Sequence, residues 1–177
     1  MWKTNRFVIA WIMSVLVLTS CTKTQSKCPI ESLIIDEHLF PEGTYAERLI
    51  SPISEKPKES VARSFYYAPY DIFHAVINWH SSRSAKGEFN NDIETAFDTD
   101  QYMGPWETPS KVYSSAVADN YNVACGTVHG VYQCRLAATY GNYSVYFRAD
   151  VGEEGITLQK VNEILQAIDE TMAKCVN

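Results

Sequence analysis

The sequence predicts an α+β domain: a mostly antiparallel sheet of about five strands, with two helices packed on one face and two disulfides as staples. Three observations predict this architecture. Residues 120–151 contain three strand-like runs separated by two tight turns. Residues 60–79 contain a second pair of aromatic and β-branched runs. Two further segments, 83–97 and 158–175, have the apolar spacing of amphipathic helices.

The register of the three late strands follows from their turns. The reversals fall at 129–130 (His-Gly) and 141–142 (Gly-Asn), which are residue types that tolerate the positive φ of a two-residue hairpin loop. Centring the first turn places Cys125 opposite Cys134 at a non-hydrogen-bonded pair, where side chains approach most closely. The sequence therefore predicts a cross-strand disulfide between Cys125 and Cys134.

The second turn gives an independent check of this register. It aligns Leu136 with Phe147 and Ala138 with Val145, so both turns agree on one mainly apolar face. The opposite face carries mostly polar residues. They are Gln133, Arg135, Thr139, Ser144, Arg148 and Asp150. We expect the apolar face to be covered by the closing helix.

The first 20 residues have the pattern of an export signal. Lys3 and Arg6 supply positive charge, and residues 7–18 form an apolar run that is too short to span a bilayer comfortably. The run ends in Leu-Thr-Ser-Cys, which resembles the lipobox of bacterial lipoproteins. That resemblance implies cleavage before Cys21 and attachment of acyl chains such as palmitate to this cysteine. The alternative is an ordinary signal peptide followed by a chance cysteine.

The lipobox divides the chain into a signal peptide (1–20), a polar tether (21–27) and one domain (28–177). Acyl chains would hold the mature protein on a membrane of the bacterial cell envelope, facing the periplasm or the exterior. Thr22 does not resemble an inner-membrane retention signal of the enterobacterial type, so the leaflet stays open. The formal net charge is −6, and no basic cluster occurs along the sequence, which argues against nucleic acid as a partner.

Four cysteines remain after Cys21, an even number that favours two disulfides in an exported chain. Because the hairpin register pairs two of them, Cys28 and Cys175 are left to form the second bridge. A zinc site is the competing interpretation, but no histidine pair lies near the two hairpin cysteines. We therefore expect neither a metal nor another cofactor.

The segments before residue 80 are less regular. Residues 32–40 predict a short strand or helical turn, and 52–60 a polar loop containing proline. Residues 60–67 and 72–79 predict a hairpin, because both are rich in aromatic and β-branched side chains.

Helical spacing begins after this hairpin. In 83–97 apolar residues recur every fourth position, and the preceding serines can cap the helix, although Gly87 weakens it. Residues 98–109 have turn signals and no periodicity, which predicts a long aromatic loop. Thr157 can cap a closing helix over 158–175, whose apolar stripe should lie on the sheet and bring Cys175 within reach of its partner.

This order of elements, with paired cysteines around a strand before a final helix, distantly resembles the extracellular sensor domains of mycobacterial PknH-type kinases and related lipoproteins. The resemblance is one of element order, and no functional residue is carried over from it. It implies a sensor-like domain.

The most suggestive chemical feature is aromatic. Tyr70, Trp79, Tyr102 and Trp106 gather near the predicted hairpin and the loop 98–109, and clusters of tyrosine and tryptophan often mark binding surfaces. The alternative is that these side chains belong to the core, because a small sheet domain needs bulky residues.

Two functional hypotheses follow. The first is a lipid-anchored, non-enzymatic domain that binds an envelope protein or a small amphiphile through the loop 98–109, since the sequence contains no recognisable catalytic motif. The second is an envelope hydrolase that uses His80 or an acidic pair from Asp92, Asp98 and Asp100.

Overall fold

The computed structural model describes residues 27–49 and 57–176. The predicted signal peptide, Cys21 and most of the tether lie outside the described residues, as does most of the predicted loop at 52–60. The elements run in the order three strands, a helix, three strands and a final helix. The strands are β1 (Tyr45–Leu49), β2 (Glu59–Tyr67), β3 (Tyr70–Asn78), β4 (Asn120–Val128), β5 (Val131–Tyr140) and β6 (Tyr143–Asp150), and the helices are α1 (Ser82–Ala96) and α2 (Leu158–Val176).

The strands form one antiparallel sheet in the order β1-β2-β3-β6-β5-β4, which confirms the predicted α+β class. The described part of the chain has six strands rather than about five. The additional strand is the edge strand β1, whose exposed Tyr45 and Glu47 leave no alternating apolar pattern for periodicity to detect. The segment predicted as a short strand or helical turn forms two 3₁₀ turns, Ile30–Leu33 and Glu37–Leu39.

The predicted register of the late strands is confirmed. Cys125 pairs with Cys134 across β4 and β5, and Leu136 pairs with Phe147 across β5 and β6. The turn residue His129 has a φ of 48°, as a two-residue hairpin loop of this kind requires. Local turn chemistry therefore determined which side chains share a face.

Helix α2 covers the apolar face of the sheet. Its first turn is capped by the hydroxyl of Thr157, which accepts a hydrogen bond from the amide of Lys160 at 3.2 Å. The buried residues of α2 include Ile164, Leu165, Ile168 and Met172, and they form one core cluster with the inward side chains of β2 to β6. Leu158, the first residue of the predicted apolar stripe, is 41% exposed, and the buried residues of α2 begin at Val161.

Helix α1 lies on the opposite face of the sheet, which corrects the prediction that both helices pack on one face. Neighbouring residues of β5 point to opposite sides. Leu136 belongs to the core under α2, whereas the guanidinium of Arg135 donates a hydrogen bond to the carbonyl of Ala96 at the end of α1. Ala85 of α1 packs with Trp79 in a separate apolar cluster. Apolar spacing identifies the buried side of a helix, but not the sheet face that receives it.

Both predicted disulfides are present. Cys125 and Cys134 have sulfurs 2.01 Å apart, and Cys28 and Cys175 have sulfurs 2.00 Å apart. The second bridge ties the start of the described chain to the last turn of α2. Two disulfides indicate an oxidising, extracytoplasmic compartment. Among the described residues, neither helix is apolar enough along a sufficient length to cross a membrane.

Candidate functional site at the hairpin end

The pairing register aligns the strand ends, so that the sheet has two distinct ends. The β2–β3 turn at 68–69 and the β4–β5 turn at 129–130 lie together at one end, which we call the hairpin end. Strand β6 also finishes there, at Asp150, beside the start of the connection to α2. Side chains from segments that are far apart in the sequence therefore meet at this end.

The opposite end is where the described chain begins, and we call it the entry end. The amide of Lys27 donates a hydrogen bond to the carbonyl of Cys175 at 2.8 Å, so the first described residue lies beside the last turn of α2. A Cβ placed on Gly141 would lie 3.7 Å from Val176, which puts the same helix end next to the β5–β6 turn. Any chain before residue 27 therefore reaches the domain at the end opposite the 129–130 turn.

The predicted loop at 98–109 runs along the outer edge of β4. At one point the amide of His129 donates to the carbonyl of Tyr102 at 2.8 Å. Further along, Glu107 and Cys125 exchange two backbone hydrogen bonds of 2.8 and 2.9 Å. These bonds satisfy the edge of β4 and hold the loop against the sheet.

Trp106 fixes the middle of this loop. Its indole nitrogen donates to the carbonyl of Asp98 at 2.7 Å, and its ring meets Phe97 edge-to-face at 5.5 Å. The guanidinium of Arg135 lies 4.7 Å from the ring centroid, in cation–π geometry. Gly126 provides the space, since a Cβ there would approach the indole to 3.0 Å. Trp106 is therefore a packing residue of the loop, and it is only partly exposed.

Tyr102 has the opposite environment. Its ring stacks on the imidazole of His129, with centroids 5.3 Å apart and planes inclined by 27°. Tyr102 is 55% exposed, and its neighbours on the hairpin, Val131 and Tyr132, are 44% and 42% exposed. We call Tyr102, His129, Val131 and Tyr132 the hairpin-tip surface, which wraps around the end of the hairpin because Val131 and Tyr132 are neighbours on β5 and point to opposite sides of the sheet. It is an exposed aromatic and apolar surface on a loop whose backbone is fixed at several points.

The structure does not bring the four predicted aromatic candidates together. Tyr70 lies at the hairpin end but on β3, where its ring occupies the space above Gly152 and Gly155. Trp79 lies at the entry end, is buried, and donates its indole hydrogen to the hydroxyl of Ser144 at 2.8 Å. For these two residues the core interpretation fits the packing, and Tyr102 is the candidate with a largely exposed side chain.

The residues of the hydrolase hypothesis are also separated. His80 lies at the entry end, whereas Asp98 and Asp100 lie in the loop at the hairpin end, where each accepts backbone amide hydrogen bonds from its own loop. Asp92 lies on α1, and burial together with repulsion from Glu88 raises its pKa to about 7. These side chains do not form a common site. Within 27–49 and 57–176, no group of three histidine, cysteine, aspartate or glutamate side chains is placed to hold a metal ion.

A row of buried polar side chains was not predicted by the sequence. Asp150 accepts a hydrogen bond from the Gln133 amide at 2.7 Å, and the Gln133 carbonyl oxygen accepts one from Arg135 at 3.0 Å. Next to them, Arg148 pairs with Asp71 at 2.7 Å. In the sequence, this row was indicated by polar residues that the pairing register places opposite each other on neighbouring strands. The hydrogen bonds of this row end at Arg135, and they hold its guanidinium in position to pack on Trp106 of the loop.

A second buried polar cluster surrounds Asp169 of α2. Tyr113 and Tyr140 donate to its two oxygens at 2.8 and 2.9 Å, and Ser115 donates to it as well. Burial, reinforced by the bond to Asp169, raises the pKa of Tyr113 to about 12. Both carboxylate oxygens have hydroxyl donors, so this cluster fastens the segment before β4 to α2 and leaves no free group for a ligand.

No protein-family model, curated protein or solved structure matches the chain. Its function is therefore inferred from the placement and exposure of its own side chains.

Proposed function

We propose that this protein is a lipid-anchored domain of the bacterial cell envelope that binds a protein partner through its hairpin-tip surface and catalyses no reaction. One observation carries the proposal. The exposed aromatic side chains lie on a fixed loop and on the hairpin beside it, at the end of the sheet opposite to the point where the chain enters the domain.

The two ends of the sheet are far enough apart to separate a membrane anchor at the entry end from a binding surface at the hairpin end. Strand β5, Val131–Tyr140, spans the sheet from one end to the other, and its 10 residues are about 30 Å long at about 3.3 Å per residue. Only the short stretch 22–26 separates Cys21 from the first described residue. With acyl chains on Cys21, the entry end would stand close to the membrane, and the hairpin tip would project outward from it.

The shape of the surface favours a protein over a small amphiphile. Small molecules generally bind in concave pockets that bury most of their surface, whereas Tyr102, Val131 and Tyr132 are exposed at the protruding end of a hairpin. Tyrosine is also enriched at the centres of protein interfaces, since it offers a large contact area at a low cost in side-chain entropy.

The fixed backbone of the loop adds to this argument. Asp100 accepts hydrogen bonds from the amides of Tyr102 and Met103 at 2.6 and 2.9 Å, and Trp106 is packed between the sheet and Phe97. A loop that is already ordered loses little conformational entropy on binding, so more of the contact energy contributes to affinity.

Site-specific photo-crosslinking in the producing cell tests the proposal. A benzophenone amino acid is placed at Tyr102 or at Tyr132, and, as a matched control, at Tyr45. Tyr45 is 64% exposed but lies on β1, five strand spacings or about 24 Å from β4. We expect one protein adduct that forms from both tip positions and not from position 45.

Two results would contradict this function. One is the same set of adducts from all three positions, which would mean non-specific contact. The other is an adduct with lipid or another small molecule alone. The anchor is tested separately by mass spectrometry of the amino-terminal peptide. We expect acyl chains on Cys21 and no acylation after Cys21→Ser, and an unmodified Cys21 would refute the anchor.

A further inference from the structure

The exposed basic residues of the described chain are unevenly distributed along the sheet, although the protein as a whole is acidic. Five of them lie at the entry end. They are Lys27, Lys58, Arg83, Lys86 and Lys174, and all five have exposed side chains. They come from four separate parts of the sequence, so the cluster exists only in the folded protein.

Backbone contacts place the first three. Lys27 is bonded through its amide to Cys175 at 2.8 Å. The amide of Lys58 donates to the carbonyl of Asn78 at 2.8 Å, at the start of β2 and the end of β3. Arg83 is the second residue of α1 and follows Trp79, whose amide is bonded to the β5–β6 turn at the same end.

The helices supply the remaining two. Lys86 lies in the second turn of α1, close to the start of that helix at the entry end. Lys174 lies in the last turn of α2, next to Cys175. Among the described residues, neither forms an ion pair with a carboxylate, and the same is true of Lys58 and Arg83.

The carboxylates have a different distribution. At the entry end Glu59, Asp119 and Glu170 are exposed, and each accepts one hydrogen bond, from the side-chain amide of Asn78, the backbone amide of Gly141 and the side-chain amide of Gln166 respectively. The basic side chains therefore outnumber them there. The hairpin end instead carries exposed carboxylates from two loops. They are Asp98, Asp100, Glu153 and Glu154.

We infer that the entry end is a docking surface for anionic phospholipid headgroups, and that it sets the domain upright on the membrane. Two independent observations agree: the chain enters the domain at this end, and the exposed basic side chains gather there. An anionic lipid surface attracts these cations and repels the acidic hairpin end. The orientation of the domain thus follows from its charge distribution as well as from its tether. The inference builds on the proposed anchor for its biological setting, but the charged surface can be tested without acylation.

The experiment uses the chain from residue 21 onward with Cys21→Ser, which cannot be acylated. Every described strand, both helices and both disulfides lie after that position, so this chain retains them. Co-sedimentation measures binding to vesicles of phosphatidylcholine mixed with phosphatidylglycerol, and to vesicles of phosphatidylcholine alone. The test variant neutralises the entry end by Lys58→Gln, Lys86→Gln and Lys174→Gln.

The control variant neutralises three basic residues elsewhere, by Arg48→Gln, Lys111→Gln and Lys160→Gln. Both variants change the net charge equally. Each basic residue near an anionic surface contributes roughly fivefold to binding at low salt. We therefore expect the entry-end variant to bind the anionic vesicles on the order of a hundredfold more weakly. The control variant should bind like the parent chain, and added salt should weaken the parent.

Three outcomes would overturn the inference: no preference of the parent chain for anionic vesicles, equal loss in both triple variants, or undiminished binding after the entry-end substitutions. Undiminished binding that is instead lost in Tyr102→Ala would place the hairpin tip on the lipid and would overturn the proposed function as well. If the parent chain does not bind anionic vesicles but the hairpin tip still crosslinks to one protein, only the lipid docking surface is refuted and the proposed function stands.

Discussion

Acid should destabilise this domain through one histidine, His74 on β3. Its side chain is completely buried, and its Nδ1 accepts a hydrogen bond from the amide of Ile35 at 3.2 Å. Nδ1 must therefore be unprotonated, which leaves the proton of the neutral ring on Nε2, where no described residue accepts it. Phe147 lies beside the ring at 6.3 Å, and the cross-strand neighbour is the cation Arg63. A second proton would have to bind Nδ1, which would break the hydrogen bond from Ile35 and leave a buried positive charge without a counter-charge.

The magnitude follows from the pKa difference between the folded and unfolded states. Burial lowers the pKa of His74 from 6.5 to about 3 in the folded protein. Because the folded pKa is depressed, the neutral histidine gives its full stability above pH 6.5 and loses it as the pH falls toward 3. The loss is about 1.4 kcal/mol per pH unit, or about 2 kcal/mol between pH 7 and pH 5.

Urea denaturation at several pH values measures this effect as a difference between two proteins, the parent chain and His74→Asn. The difference removes contributions from other groups, such as Asp92, whose raised pKa acts in the opposite direction by favouring the fold as the pH falls. We expect the stability advantage of the parent over His74→Asn to shrink by about 2 kcal/mol from pH 7 to pH 5. His80→Asn, a substitution of an exposed histidine, serves as the matched control.

A pH-independent difference between the two proteins would refute this reasoning. So would NMR spectra of the parent chain in which the His74 imidazole titrates near pH 6.5 in the folded state. The NMR measurement stands even if His74→Asn fails to fold, because it needs only the parent chain.

Three further predictions concern packing. Gly126→Ala should release the loop 98–109 from β4 and expose its amides to hydrogen exchange, because a Cβ there would lie 2.8 Å from the carbonyl oxygen of Pro105; unchanged exchange would contradict this packing. Replacing Cys28 and Cys175 by serine should cost about 5 kcal/mol on the chain-entropy model, against about 2.7 kcal/mol for the short hairpin disulfide, measured by denaturation of both double variants. Asp169→Asn should destabilise the fold by about 1.5 to 3 kcal/mol, because the hydroxyls of buried Tyr140 and of half-buried Tyr113 and Ser115 lose a charged acceptor, and a neutral effect in urea would show that the cluster is not needed.

The basic residues are scattered along the sequence but lie close together in the folded protein. The sequence contains no basic run, because Lys27, Lys58, Lys86 and Lys174 are far apart along the chain. Folding brings them to one end of the sheet, because both helices and β2 have a terminus there. The sequence alone therefore gave no indication of the cluster of basic side chains that folding assembles at the entry end.

The aromatic candidates illustrate the same limit. Tyr102 and Trp106 are four residues apart in one loop, yet Tyr102 is largely exposed and Trp106 is packed under Arg135. Loop residues have no periodicity from which burial can be inferred. Their burial depends on what a distant strand places beside them, in this case Gly126 and Arg135.

The sequence by itself determined the register of β4, β5 and β6, and with it both disulfides. Strand periodicity and turn chemistry are local properties, so residues 120–151 contain the information that aligns Cys125 with Cys134. Tertiary structure decided which face of the sheet α1 covers and which polar residues of that face are buried. It also decided which of the four candidate aromatic side chains remains largely exposed. Those outcomes depend on contacts between segments that are distant in sequence, and no local pattern encodes which of two sheet faces a helix will cover.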